Sequence, residues 1–193
     1  NSVRISNYDQ SQELGSDGIP KGWRLKVWQG RPDLKLVKGI GSRDKAIRMR
    51  SEKASVALYR NLKIDLKSYP TLSWQWKVTK LPKGADARIN NKDDQAAGVY
   101  VVFPRFPSIV NSRFIGYVWD SSVPEGTVLQ SRKNPRIYYI VMRSGRGKTN
   151  TWINEVRDVY ADYQMVFGEE PPEVGALSLM IDTDDTHSNA ESF

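Results

Sequence analysis

Alternation constrains this chain more than any other feature. From Thr71 to Val78, Leu72, Trp74, Trp76 and Val78 fall on one side of an extended backbone, and Ser73, Gln75 and Lys77 on the other. Period-two patterning of this kind requires a sheet with one face against a core, which gives Trp74 and Trp76 a packing role. Val99, Val101 and Phe103 alternate with Gly98, Tyr100 and Val102, as expected for a strand covered on both faces. The same spacing recurs in Ile115, Tyr117 and Trp119, in Ile137, Tyr139, Val141 and Arg143, and in Leu177, Leu179 and Ile181. Weaker strands are expected over 23–28, 34–37, 46–50 and 55–62. Ile19-Pro20-Lys21-Gly22, Leu81-Pro82-Lys83-Gly84, Pro124-Glu125-Gly126 and Ser144-Gly145-Arg146-Gly147 supply the turns.

One segment departs from this rhythm. Val156, Val159, Tyr160, Tyr163, Val166 and Phe167 recur at helical spacing, and Gly168 follows as a C-cap before Pro171 and Pro172. Many short strands, one late α-helix over 156–167 and no βαβ alternation define an all-β expectation. The architecture is an antiparallel β-sandwich of jelly-roll type, with residues 1–193 as a single domain. Residues 84–94 form a polar loop long enough to suggest a function.

Composition narrows the chemistry. The chain has no Cys and one histidine, His187, which excludes disulfides, thiolate metal sites, a Cys nucleophile and a multi-histidine centre. No apolar run approaches the roughly 18–20 residues that span a bilayer, so no transmembrane segment is expected. The net charge of +7 is unevenly distributed: residues 1–80 hold 17 basic and 7 acidic residues, whereas residues 155–193 hold one basic residue and ten acidic ones. Such a chain can bind an anionic partner, or equally pair its own ends within one fold. Arg43, Lys45, Arg48, Arg50, Lys53 and Arg60 suggest a basic stripe, but no recognition helix or RNA-binding aromatic signature accompanies them, and no specific nucleic-acid binding is expected. Arg143-Ser144-Gly145-Arg146-Gly147-Lys148 lacks phosphate-loop spacing and reads as a basic hairpin tip.

Several linked motifs carry a family resemblance. They are Leu72-Ser73-Trp74-Gln75-Trp76-Lys77-Val78, the stretch from Asp93-Asp94-Gln95 to Phe103, Arg143-Ser144-Gly145, Glu155-Val156-Arg157-Asp158, Asp162-Tyr163 and the late Leu179 to Thr186. Together they resemble the bacterial family called domain of unknown function 3047, from Gly22 to Ala190. The resemblance implies an exported or envelope-associated protein with a galactose-binding-like β-sandwich, and it brings no activity with it. It also implies a closing aromatic-rich strand, which Glu191-Ser192-Phe193 does not match, so the last strand is expected to be missing. Asn1 rather than Met in first place fits either a processed export precursor or a trimmed chain, and the resemblance implies an extracytoplasmic location, in the periplasm or cell envelope, with a leader removed.

Hard cations such as Ca2+ take six to eight oxygens, and Asp182, Asp184 and Asp185 at a strand end offer part of such a set, with Asp93 and Asp94 as completing ligands. The same residues also fit turn capping, or an ion pair of Asp182 with Arg143 or Arg88. For a glycan or other polar ligand, a sheet face bearing aromatics and cations is required. Tyr100, Trp119, Arg132, Tyr138, Arg143 and Trp152 are the candidate residues, although rings in a sandwich also serve its core. No Gly-x-Ser-x-Gly elbow is present and His187 lies in a polar tail, so no catalytic residue is assigned. The expected function is a non-catalytic envelope-associated binding module. The alternatives are an accessory subunit docking on a larger envelope complex, by way of an open sheet edge, and a carboxylate-dependent polysaccharide hydrolase or lyase.

Overall fold

The computed structural model describes residues 2–6, 14–15, 18–40 and 45–193; Arg43 of the expected basic stripe lies outside the described residues. The strands are β1 (Arg24–Gln29), β2 (Asp33–Lys38), β3 (Lys45–Glu52), β4 (Ser55–Ile64), β5 (Thr71–Trp76), β6 (Val78–Lys80) and β7 (Ala97–Phe103). They continue with β8 (Arg113–Asp120), β9 (Val128–Gln130), β10 (Ile137–Ser144), β11 (Ile153–Asp158), β12 (Val174–Asp182) and β13 (Asn189–Ser192). Two helices, α1 (Ser108–Asn111) and α2 (Val159–Phe167), interrupt them.

A seven-stranded sheet in the order β1-β4-β12-β7-β8-β10-β9 forms one layer. The other consists of β2-β3-β13-β6 and the pair β11-β5. Its two parts are joined where Lys77, between β5 and β6, exchanges backbone hydrogen bonds with Phe193 at 3.0 and 2.8 Å. The result is a mostly antiparallel sandwich. One pair departs from the antiparallel expectation: β8 and β10 run parallel, connected by residues 121–136, which carry β9 to the sheet edge before the chain turns back as β10. A parallel pair needs a crossover of this length.

Alternation divides each strand between two environments. Inward residues of the large sheet include Val56, Leu58, Val99, Val101, Phe103, Ile115, Tyr117, Trp119 and Ile181, all buried with Trp76, Val78, Ile47 and Met49 of the facing layer. Trp74 lies against Tyr117 with ring centroids 5.3 Å apart, Trp76 against Trp119 at 5.9 Å, and the two indoles meet edge-on at 5.6 Å. These rings stand between the layers as pillars. A second, smaller cluster of Ala87, Tyr100, Val118, Val123, Tyr139 and Val141 covers part of the large sheet's outer face.

One expectation needs correction. The helix begins at Val159 rather than at 156, because Asp158 ends β11 and caps α2, its side chain accepting from the Ala161 N–H at 2.9 Å. Val156 sits on β11 and points to solvent. At the helix end Gly168 adopts the left-handed conformation expected of it, with φ 69°. A strand that the alternation did not predict is also present: β13 lies in the middle of the second layer, paired with both β3 and β6, with Ala190 and Ser192 buried. No helix among the described residues is long and apolar enough to cross a membrane.

Candidate functional site

Strand register defines the outer face of the seven-stranded sheet. Tyr59 faces Ser178, Ser178 faces Tyr100, Tyr100 faces Gly116, and Gly116 faces Tyr139. A neighbouring row runs Asn61, Ala176, Val102, Phe114 and Ile137. Towards β1, Tyr59 pairs with Arg24, and Ala57 with Lys26 and Met180. Asn61, Arg24 and Lys26 are exposed, and Tyr59, Ser178, Met180, Val102 and Phe114 half-buried, so this part of the sheet remains accessible.

The other part is covered by the segment from Pro82 to Gln95. Its own Ala85 and Ala87 are fully buried, and Asp120 at the end of β8 holds it down. One Asp120 oxygen accepts from the Ala87 N–H at 3.2 Å, and the other accepts from Ser122 and Val123 at 2.7 Å each. Ser122 Oγ in turn donates to the Ala85 carbonyl at 2.7 Å. Burial raises the Asp120 pKa although these three N–H groups favour the carboxylate.

Beneath the covering segment, Tyr100 lies flat over two glycines. A Cβ at Gly98 or Gly116 would come within 2.5 or 2.6 Å of its ring. Tyr139 meets the same ring edge-on at 6.4 Å. Their hydroxyls enter one network: Tyr100 donates to Gln95 Oε1 at 3.3 Å and Tyr139 to Asp93 Oδ2 at 3.1 Å. Gln95 Nε2 donates to Asp93 Oδ1 at 2.6 Å, and Ser131 Oγ to Asp93 Oδ2 at 3.4 Å. Burial raises the Asp93 pKa, with the bonds from Gln95 and Tyr139 opposing it, and burial raises both tyrosine hydroxyls.

An acidic turn adjoins this network. Buried Asp94 accepts from the backbone N–H groups of Asp185 at 3.2 Å and Thr186 at 2.7 Å, and from Thr186 Oγ1 at 2.5 Å. Carboxylate oxygens of Asp94, Asp184 and Asp185 lie within 4.8 Å of one another, and Asp184 Oδ1 is buried without a hydrogen-bond partner. Asp182, 7% exposed, stands beside them. Burial first, then the charges and contacts of Asp184 and Asp94, push it up to about 9. Lys133 pairs with Asp185; burial lowers its pKa, but the pairing outweighs that and leaves it raised. Three carboxylates so placed, with the Thr186 hydroxyl on Asp94, are oxygen donors of the kind a hard cation could take.

The structure therefore brings Asp93, Asp94, Asp182, Asp184, Asp185 and Tyr100 to one end of the sheet, with exposed Arg132 between Ser131 and Lys133. Within that group Asp93 is taken up by Gln95, Tyr139 and Ser131. The other candidates lie elsewhere. Trp119 is fully buried between the layers, donating its indole N–H to the Gly145 carbonyl at 3.1 Å. Tyr138 is half-buried against Phe167, edge-on at 5.2 Å. Arg143 makes a two-point pair with buried Glu155, at 2.7 and 2.9 Å, which ties β10 to β11. Trp152 packs against Phe193, with Lys77 over both rings. The expected partner of Asp182 is neither Arg143 nor Arg88, since Arg88 is held by Asp86 at 2.8 and 2.7 Å. Tyr59, Asn61 and Ser178 were not singled out by sequence, although period-two spacing along 55–62 puts Tyr59 and Asn61 on one face. Lys133 carries no sequence signal at all.

The family model described as Protein of unknown function (DUF3047) matches residues 22–193. The chain belongs to this family. No curated relative matches. Among solved structures, this DUF3047 chain is similar to the family 11 xylanase from Neocallimastix patriciarum, at 11% identity over 97% of this chain and 94% of that one, with a TM-score of 0.45. It is also similar to the xyloglucanase domain of NopAA, a type three effector from Sinorhizobium fredii, at 14% identity over 93% and 92% of the chains, with a TM-score of 0.45. A third is the Emp47p carbohydrate recognition domain, at 11% identity over 99% and 96%, with a TM-score of 0.43.

Proposed function

We propose that this DUF3047 chain is a non-catalytic binding module for a polyhydroxylated ligand, a glycan above all, on the outer face of its seven-stranded sheet. One observation supports this reading most directly. An accessible stretch of the large sheet carries the half-exposed ring of Tyr59 and apolar Met180 and Phe114, alternating with Asn61, Ser178, Arg24 and Lys26. Sugar rings offer apolar C–H faces to such surfaces, and their hydroxyls bond to amides, hydroxyls and guanidinium groups. Ca2+ held by Asp94, Asp184 and Asp185 would fix the adjoining turn and reduce the repulsion around Asp182. An extracytoplasmic location belongs to the same reading.

Calorimetric titration of hits from a glycan array, with Ca2+ and with chelator, tests it. Binding that falls at least about tenfold in Tyr59→Ala and Asn61→Ala supports the proposal. The absence of any glycan hit, or hits indifferent to both substitutions, overturns it. Calcium titrations should lose their heat in an Asp184→Asn/Asp185→Asn double variant.

A second reading rests on β1, the edge of the same sheet, where Val27 and Trp28 are 38% and 57% exposed. An open edge with apolar side chains invites pairing with a partner strand. Sedimentation of the chain with detergent-extracted envelope proteins, compared with a Val27→Lys/Trp28→Lys variant, separates this docking role from glycan binding.

A further inference from the structure

A cavity of about 1090 Å3 lies between the two layers, on the opposite side of the large sheet from the proposed glycan face. It follows from unequal packing. The Trp74–Tyr117 and Trp76–Trp119 pairs fill the space beside it with rings stacked two deep. The neighbouring columns carry mainly smaller, aliphatic side chains, Leu62, Leu66, Leu72 and Leu177 among them. Inward residues at one end, such as Val56, Val78 and Ile181, are fully buried. Leu62 and Ile64 at the far end of β4, Leu72 on β5 and Leu179 on β12 are only half-buried, and they line the cavity. Sandwich interiors normally interdigitate to crystal-like density, and ligand pockets run to about 300–1,000 Å3. Apolar side chains make up the larger share of its wall, with Ser68, Thr71, Gln75 and Asn154 among the polar ones.

The charges on the lining point to one kind of occupant. Arg4, Lys45 and Glu155 are its charged residues among the described ones. Glu155 is already committed to Arg143, whereas Arg4 and Lys45 have no carboxylate partner among the described residues. Two cations without a carboxylate partner among the described residues, on a lining that is mainly apolar, complement a long apolar tail with an anionic head. We propose that the interlayer cavity binds a fatty acid or similar anionic amphiphile, its chain between Leu62, Leu72 and Leu179 and its headgroup towards Arg4 and Lys45.

Trp23, Trp74 and Trp76 line the same space and provide the readout. Dibrominated stearate quenches indoles only at short range, so titration of the intact chain should give saturable loss of tryptophan emission, reversed by excess stearate. Lys45→Glu, a substitution that requires no repacking, should weaken the quenching roughly tenfold, and the uncharged methyl ester should show a similar loss. Leu179→Phe, with an unchanged circular dichroism spectrum, should reduce it further by filling the chamber. Tyr59→Ala on the other face should leave it unchanged. Quenching that does not saturate overturns the assignment. So does equal affinity for acid and methyl ester in the wild-type chain, or insensitivity to Lys45→Glu.

Discussion

Gly98 and Gly116 matter for the side chains they lack. The Tyr100 ring occupies the space a Cβ would need on either residue, so the close approach follows from a contact along β7 at Gly98 and across to β8 at Gly116 rather than from unusual backbone angles. Gly116→Ala should therefore lower the urea midpoint by the equivalent of about 1–3 kcal/mol, as overpacking does. Gly147→Ala, with open space around it, should stay within about 0.5 kcal/mol. Asp182 offers a second test at this scale. Its folded pKa of about 9 exceeds the ordinary carboxyl value of 3.8, so the native state keeps a proton that the unfolded chain releases. Stability from this group is full below the unfolded value, declines as pH rises, and is gone once the pH passes the folded value. With chelator present, Asp182→Asn should match wild type near the low end and exceed it on the alkaline side by a few kcal/mol at most. Parallel melting-temperature profiles across that range would reject this. Sequence revealed the Asp-rich turn and Tyr100 as residues of interest, but neither the burial of Asp182 nor the glycine floor, since both depend on which strands become neighbours.

Elements with large alternating side chains were legible, and those without them were not. The strands around Trp74, Val101, Tyr117 and Leu179 appear where the period-two pattern put them, within a few residues at each end. β13 went unread because Asn189-Ala190-Glu191-Ser192 buries only two small side chains. β11 was absorbed into the helix because Val156, Val159 and Tyr160 fit helical spacing by coincidence. The boundary is set instead by Asp158, whose carboxylate caps an N–H that helix geometry leaves unpaired. Asp158→Ala should cost about 1 kcal/mol by chemical denaturation, and Asp158→Ser should recover most of it. Equal loss in both variants would mean that the cap contributes little.

Across the whole molecule, charge separation along the sequence becomes charge pairing in space. Two pairs join the basic early half to the acidic late segment, Arg50 of β3 with Glu191 of β13 and exposed Lys67 with Glu170. Asp162, Glu169 and Asp185 pair instead with Arg157, Arg105, Arg113 and Lys133. Arg143 and Glu155 pair between the layers, with the Trp76 indole N–H donating to that carboxylate at 3.1 Å. Glu155→Ala leaves the buried indole N–H without its acceptor and the half-buried guanidinium with Glu125 alone, and should cost about 3–5 kcal/mol. Glu155→Gln, which keeps an acceptor, should cost less, and thermal unfolding of the two variants would show the gap. The position of β13 has a consequence for synthesis. Because β3 and β6 meet only through it, a nascent chain on the ribosome cannot assemble that layer from its earlier strands alone. Hydrophobic strands made earlier must wait, single-sided and exposed, for a short and mostly polar segment made after them, which leaves them open to chaperones or to misassociation in the interval.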